Sequence, residues 1–141
     1  MIWVIDASVA IKWLLEDEGH PNAESVLERV VDTPGHFAVP ELFGFEILSV
    51  IVRLHPAGIN AFTKVIIPIL HSGIFRQPMT EDLALTAYPY IKSGMTGYDA
   101  CYAALAKELN GIWLTFDKKA HARIQKHNIS CNLEDNLPAD W

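Results

Sequence analysis

Four acidic residues stand at positions where folding could bring their carboxylates together: Asp6, Glu46, Asp99 and Asp117. Asp6 and Asp117 each directly follow a short apolar run that we predict to be a strand. Because the carboxyl ends of strands in open α/β sheets line the ligand crevice, these two acids should share one edge. No His or Cys accompanies the acids at the spacing of a zinc site, so their hard carboxylate oxygens favour Mg²⁺ or Mn²⁺.

Each acid also has a purely structural explanation. Asp6 and Asp117 could be helix N-caps, and Asp99, in the first turn of a predicted helix, could favour the helix dipole. Glu46 lies on an apolar helix stripe, where a neighbouring amide or hydroxyl could satisfy it. At ~6 Å spacing, however, each like-charged pair would cost about 2.8 kcal/mol, and all six pairs about 17 kcal/mol. Because that exceeds a typical domain stability of about 5–15 kcal/mol, such a cluster must take up protons or hold a cation.

The elements that must position these acids alternate between strands and helices. Apolar runs and capping signals predict strands at residues 1–5, 37–39, around 75 and at 112–116, and helices over residues 8–15, 21–31, 41–55, 59–70, 80–94, 96–109 and 118–127. The helix at 41–55 should be largely buried, because its apolar residues are nearly continuous. This alternation predicts an α/β fold with a mainly parallel sheet and helices on both faces.

Length and composition set the class of protein. The chain has 141 residues, 50% of them hydrophobic and 20% charged, which predicts one globular domain spanning 1–141. A net charge of −6 argues against general affinity for nucleic acid or an anionic membrane, although a local basic patch is compatible with it. Two distant cysteines and the lack of a signal-like or membrane-spanning run favour a cytoplasmic protein without a membrane partner.

Four motifs in order resemble those of PIN-domain proteins, with the closest likeness to the VapC family of toxin ribonucleases. They are Val-Ile-Asp-Ala-Ser-Val-Ala at 4–10, Pro-Glu-Leu at 40–42 leading to Glu46-Ile47, Thr-Gly-Tyr-Asp-Ala at 96–100 and Leu-Thr-Phe-Asp at 114–117. The likeness covers essentially the whole chain. It implies a three-layer α/β/α fold with a central sheet of four or five strands.

The resemblance also implies an activity. It identifies the chain as similar to metal-dependent endoribonucleases that hydrolyse RNA phosphodiester bonds, with Asp6, Glu46, Asp99 and Asp117 as the catalytic and metal-binding acids for one or two Mg²⁺ or Mn²⁺ ions. Glu41 competes with Glu46, but the motif places the acid inside the helix. The implied partners are an RNA substrate, a small VapB-like antitoxin and a second copy of the chain in a homodimer.

Other residues have candidate supporting roles. Ser8, Thr96 and Thr115 are close to the acids in sequence and could orient them by hydrogen bonds, or could be ordinary caps. Ser49 departs from the Asn that many relatives have three residues after the helix glutamate. Candidate RNA-binding cations lie near the two strand ends: Lys12, Lys118, Lys119 and Arg123, with Lys126 further along the last helix. The alternative is a solvated basic helix face.

Two other functions remain open at this point. A metal-independent ribonuclease could use His121 or His127 as its general acid or base. A non-catalytic RNA- or protein-binding module could use the same scaffold. A small-molecule phosphatase is a weaker third option, because no DxDxT-type motif follows Asp6. We assign Trp3, Trp113 and Phe116 to strand packing. An apolar surface could meet an antitoxin through Trp13, Leu14, Leu15, Phe43 and Phe45, although core burial would explain these residues equally well.

Overall fold

The computed structural model describes residues 1–141 and has three layers around one sheet. All strand pairs are parallel, in the order β3-β2-β1-β4-β5. The strands are β1 (Trp3–Ile5), β2 (Phe37–Pro40), β3 (Phe75–Gln77), β4 (Ile112–Thr115) and β5 (Ser130–Asn132). The predicted α/β/α fold with a parallel sheet is therefore confirmed, with five strands.

Eight α-helical segments connect and cover the strands. They are α1 (Ala7–Leu14), α2 (Pro21–Asp32), α3 (Leu42–Leu54), α4 (Gly58–Ala61), α5 (Ile67–Leu70), α6 (Glu81–Lys92), α7 (Gly97–Glu108) and α8 (Lys118–Ile124). A π-helical segment, Phe62–Ile66, joins α4 to α5, so the predicted helix at 59–70 is continuous but not uniform. A short 3₁₀ turn, Gln125–His127, follows α8. None of these helices has the length and apolarity that crossing a bilayer requires.

Two features bring β1 and β4 side by side, which places the acids at one sheet edge. Helix α7 packs against β1, β2 and β4, and its fully buried alanines Ala103 and Ala104 permit close approach. Gly111 stands at the entry to β4, where a Cβ atom would lie 2.2 Å from the carbonyl oxygen of Ile2. Only glycine fits this approach, because any side chain would collide with the backbone of the chain entering β1.

Two sequence predictions were wrong in detail. No strand was expected at Ser130–Asn132, because this short segment has no apolar run. Helix α3 was expected to be largely buried, yet Phe45, Val52 and Leu54 are exposed on it. Helix α3 therefore buries one side, along Phe43, Ile47 and Ile51, and leaves apolar residues exposed on the remainder of its surface.

Candidate active site

The Asp6 carboxylate is fixed at the carboxyl end of the central strand β1. It caps α1, and its Oδ2 accepts hydrogen bonds from the Ser8 amide at 3.1 Å, the Ser8 hydroxyl and the Thr115 hydroxyl at 3.2 Å. Its Oδ1 accepts from the Trp113 indole Nε1 at 3.2 Å. The residue is only 7% exposed. Neighbours on β4 and α1 thus hold a buried carboxylate in one orientation.

Glu46 points from α3 toward the same region and is half-buried. The Tyr102 hydroxyl on α7 donates a 2.7 Å hydrogen bond to its Oε1. The Tyr102 ring is in turn stacked on the Trp113 indole. An aromatic pair therefore connects the two carboxylates, because Tyr102 donates to Glu46 while Trp113 donates to Asp6.

Asp99 and Asp117 come from helix starts. Asp99 is half-buried in the first turn of α7, where its amide donates to the Thr96 hydroxyl at 3.1 Å. Asp117 is the exposed N-cap of α8, and its Oδ1 accepts from the Ala120 amide at 3.0 Å. Asp117 is thus an N-cap, as its structural explanation predicts. The cap uses only Oδ1, so the second carboxylate oxygen is available to another ligand.

The charges of the four acids act on one another. Burial raises the pKa of the Asp6 carboxyl to about 6, and the charge of Asp99 adds to this rise against the lowering effect of the Ser8 and Trp113 hydrogen bonds. Burial also raises the pKa of Glu46 to about 7, with contributions from the charges of Asp6 and Asp99. The pKa of Asp99 is raised by burial and then by the charge of Asp117. Asp99 is therefore the acid through which all four are coupled.

The predicted supporting hydroxyls divide into two groups. Ser8 and Thr115 touch Asp6 directly, and they also order the end of β4: the Phe116 amide donates to the Ser8 hydroxyl at 3.0 Å and the Asp117 amide to the Thr115 hydroxyl at 2.9 Å. Thr96 caps the backbone of α7, and a hydrogen bond with its side chain also lowers the pKa of the Asp99 carboxyl. The sequence interpretation missed Trp113 and Tyr102. It assigned Trp113 to packing alone. The only available signals were positions on a shared face: Trp113 is two residues from Thr115 on one strand, and Tyr102 is three residues from Asp99 on one helix.

The donor chemistry of the site fits a hard divalent cation. All four candidate ligands are carboxylates, and the raised pKa values of three of them reflect negative charge held in a partly desolvated place. No three Asp, Glu, His or Cys side chains are grouped so that they could hold an ion as they stand. The carboxylates would therefore have to move closer together for an ion to be held by three of them.

The candidate RNA-binding cations differ in their availability. Lys12 lies over the Phe116 ring at 4.8 Å, and its Nζ donates to the Glu18 carbonyl at 3.3 Å. The Arg123 guanidinium donates to the Gly94 carbonyl at 2.9 Å, and its charge lowers the pKa of Asp99. Arg123 therefore lies near the acids while held by the backbone.

Lys118 and Lys119 are both exposed in the first turn of α8, directly after Asp117. They make no hydrogen bond or ion pair within the chain. These two cations are therefore free to meet a phosphate, as is the exposed Lys126 further along the chain.

The two histidines of the metal-independent alternative lie in other surroundings. His121 Nδ1 is 2.7 Å from the Ser130 hydroxyl, and the His127 ring meets Tyr90 edge-on at 5.9 Å. Neither histidine takes part in the coupling of the four acids.

The expected apolar partner surface is partly in the core. Phe43 is fully buried and Leu15 nearly so, so these two are unavailable. Trp13 is half-buried, and its indole donates to the Ala23 carbonyl at 2.7 Å, which fits packing. Phe45 is exposed and remains from the predicted set.

Comparison with known proteins gives the same architecture. The sequence model described as PIN domain matches residues 3–126. Solved structures with the same fold include VapC20 from Mycobacterium tuberculosis, titled a sarcin-ricin loop cleaving toxin (TM-score 0.65, 15% identity, 85% of this chain and 93% of that chain covered). The fold is also shared by a toxin-antitoxin complex from Klebsiella pneumoniae (TM-score 0.62, 16% identity, 84% of this chain and 89% of that chain covered). It is shared as well by FitAcB from Neisseria gonorrhoeae (TM-score 0.68, 15% identity, 88% of this chain and 94% of that chain covered). No curated protein sequence matches the chain.

Proposed function

Since the chain belongs to the PIN-domain family, we propose that it is a Mg²⁺- or Mn²⁺-dependent endoribonuclease and the toxin of a toxin–antitoxin pair. One observation carries the catalytic part of this proposal. Asp6, Glu46 and Asp99 come from separate parts of the chain, and burial together with the charges of neighbouring acids, including that of Asp117, raises the pKa of all three carboxyls. Charge of this density needs a cation or protons to persist.

The residues of the chain would divide the work as follows. Asp6, Glu46, Asp99 and Asp117 would hold the ion, and the hydrogen bonds from Ser8, Thr115, Trp113 and Tyr102 would keep two of these carboxylates oriented. When bound, a divalent cation supplies positive charge for the scissile phosphate and lowers the pKa of an attacking water. Lys118 and Lys119 would bind backbone phosphates beside this place.

A protein partner is the second part of the proposal. Two solved structures of the same fold are those of a toxin and of a toxin–antitoxin complex. On this chain, the exposed apolar residues Val52 and Leu54 of α3 support a VapB-like antitoxin or a second copy of the chain as their cover. Two unpaired cysteines, Cys101 and Cys131, fit a reducing compartment, which supports a cytoplasmic location.

The test is cleavage of RNA by purified protein, with the chemistry of the new ends determined. The proposal expects cleavage with Mg²⁺ or Mn²⁺, none with EDTA, 5′-phosphate ends and loss of activity in Asp99→Asn. Cleavage that survives EDTA and leaves 2′,3′-cyclic phosphates would assign the activity to a histidine-based mechanism. If no RNA is cut by wild type under any of these conditions, the chain is a binding module.

A further inference from the structure

A cleft opens beside Glu46, on the side of α3 that faces the start of α7. It has a volume of about 520 Å³, within the range of small-ligand sites. Its lining consists of Leu42, Phe45, Glu46, Ser49, Val50 and Tyr98. We call it the aromatic cleft. Because Glu46 forms part of its wall, anything bound in the cleft lies next to the acids.

Two aromatic side chains of the cleft are unusually exposed. Phe45 is 74% exposed and Tyr98 is 65% exposed. Each directly precedes a site acid in the sequence, Phe45 before Glu46 and Tyr98 before Asp99. Neither ring is paired with another aromatic ring of the chain. Their faces are therefore available to a ligand.

We propose that the aromatic cleft binds one unpaired nucleobase of single-stranded RNA, next to the phosphate that is cut, with Phe45 and Tyr98 as its stacking surfaces. The inference deepens the proposed function and rests on it. Stacking on aromatic side chains is a general way in which proteins hold unpaired bases, and each stacked base contributes about 1–3 kcal/mol. A base inside a duplex cannot enter such a cleft, because both of its faces are covered.

The chemistry of the cleft favours a nucleobase over an apolar protein segment. Phe45, Leu42 and Val50 supply apolar surface, while the exposed Ser49 hydroxyl can both donate to and accept from a polar ligand edge. A nucleobase has apolar faces and a polar edge, so it can use both kinds of surface. An aliphatic side chain in the same place would leave Ser49 and Glu46 facing an apolar group, which is costly.

The test measures RNA binding and cleavage in four single variants: Phe45→Ala, Tyr98→Ala, Tyr98→Phe and Tyr88→Ala. Tyr88 is the matched control, since it is a similarly exposed tyrosine on α6, outside the cleft. Binding is followed by fluorescence anisotropy of a short fluorescein-labelled single-stranded RNA of mixed sequence in EDTA, where cleavage is off. Kinetics use the same RNA with Mn²⁺, and cleavage positions are mapped on total RNA.

The proposal expects Phe45→Ala and Tyr98→Ala to weaken binding and raise KM about fivefold or more, which corresponds to the loss of one stacked base. Tyr98→Phe should stay close to wild type because the ring is kept, and Tyr88→Ala should match wild type. The set of cleaved positions should broaden in the two alanine variants. Thermal melting provides the folding control, since both side chains are exposed.

Unchanged binding, KM and cleavage positions in both alanine variants would overturn the proposal. So would unchanged RNA binding together with loss of self-association in light scattering, because the cleft would then be a protein interface. These results can be distinguished from results that would refute the proposed ribonuclease activity. If wild type cuts RNA but is indifferent to Phe45 and Tyr98, only the cleft is refuted, whereas a wild type that never cuts RNA refutes the ribonuclease itself.

Discussion

The side-chain rings of Tyr102 and Trp113 are stacked, with centroids 5.7 Å apart and planes 7° apart. Both residues are fully buried, and each uses its one polar hydrogen on a different carboxylate, Glu46 and Asp6. The stack therefore fixes the distance between two acids that lie on different layers of the fold. This relationship makes the geometry of the site dependent on two residues that would otherwise be assigned to the core alone.

Tyr102→Phe should lower ribonuclease activity about tenfold, because partners that orient ligands typically contribute that much. It keeps the stacked ring and removes only the donor to Glu46. The free energy of unfolding should fall by about 1–2 kcal/mol, since the variant lacks a hydrogen bond to a carboxylate. Steady-state kinetics and denaturant unfolding measure the two effects. Tyr90→Phe is the control, as a buried tyrosine that contacts none of the acids. Equal activity in wild type and Tyr102→Phe would show that this hydrogen bond plays no part in the reaction.

Trp113→Phe tests the other half of the stack. The change retains an aromatic ring but deprives Asp6 Oδ1 of its donor. We expect a tenfold or greater loss of Mn²⁺ affinity and of activity, by the same reasoning on ligand orientation. Trp3→Phe is a matched control, because Trp3 is equally buried and its nearest aromatic partner is Trp141, away from the acids. Both variants should melt at lower temperature. If they lose activity in parallel with stability, Trp113 is a packing residue only.

Sequence motifs placed the acids correctly on their elements, because Asp6, Asp99 and Asp117 lie at strand ends or helix starts that short-range patterns define. Glu46 lies inside a helix that its apolar periodicity defines. They could not reveal that Tyr102 meets Glu46 across 56 positions or that Trp113 meets Asp6 across 107. Such contacts depend on how β4 and α7 are docked, which no local pattern specifies. For the same reason the strand β5 was missed.

The sequence also could not predict which apolar residues of α3 are exposed to solvent. Phe45 and Ile47 are both apolar and two residues apart, yet one is exposed and the other fully buried. Periodicity marks an apolar helix without stating how much of it the rest of the chain covers. Its predicted burial was wrong because the rest of the chain covers only one side of α3.

The pKa of Glu46 gives a prediction for the stability of the metal-free protein. Its carboxyl pKa rises from 4.5 to about 7 on folding, so the folded state binds the proton more tightly than the unfolded state. Stability is therefore lost as pH rises between these two values. Glu46→Gln keeps an acceptor for Tyr102 and removes the charge.

The variant should be more stable than wild type at pH 8, by about 1 kcal/mol after allowance for solvent screening, or roughly 3 °C in melting temperature. The difference should vanish near the pH at which free glutamate is protonated. Differential scanning calorimetry across this range measures it in the presence of EDTA. A Glu46→Gln protein that is less stable than wild type at pH 8 would contradict the burial of a charged carboxylate.

Lys118 and Lys119 give a prediction about salt. The double change to Gln should weaken binding of single-stranded RNA and reduce the slope of log affinity against log salt by about 0.7 for each phosphate that the variant no longer neutralises. Fluorescence anisotropy at several salt concentrations measures the slope. The control is the double change of the exposed Lys64 and Lys107 to Gln, which removes the same charge elsewhere. Identical slopes in the two double variants would mean that the start of α8 does not meet the RNA backbone.

We propose that acids from four parts of the chain make one site for a hard divalent cation. Isothermal titration of Mn²⁺ into the metal-free protein tests it most directly, with Asp6→Asn, Glu46→Gln, Asp99→Asn and Asp117→Asn beside wild type. Asp82→Asn, an exposed acid in the first turn of α6, is the control. We expect saturable binding to wild type and to the control, and at least tenfold weaker binding in each of the four site variants. Mn²⁺ binding that all four variants retain at wild-type strength, or no binding to wild type at all, would contradict it.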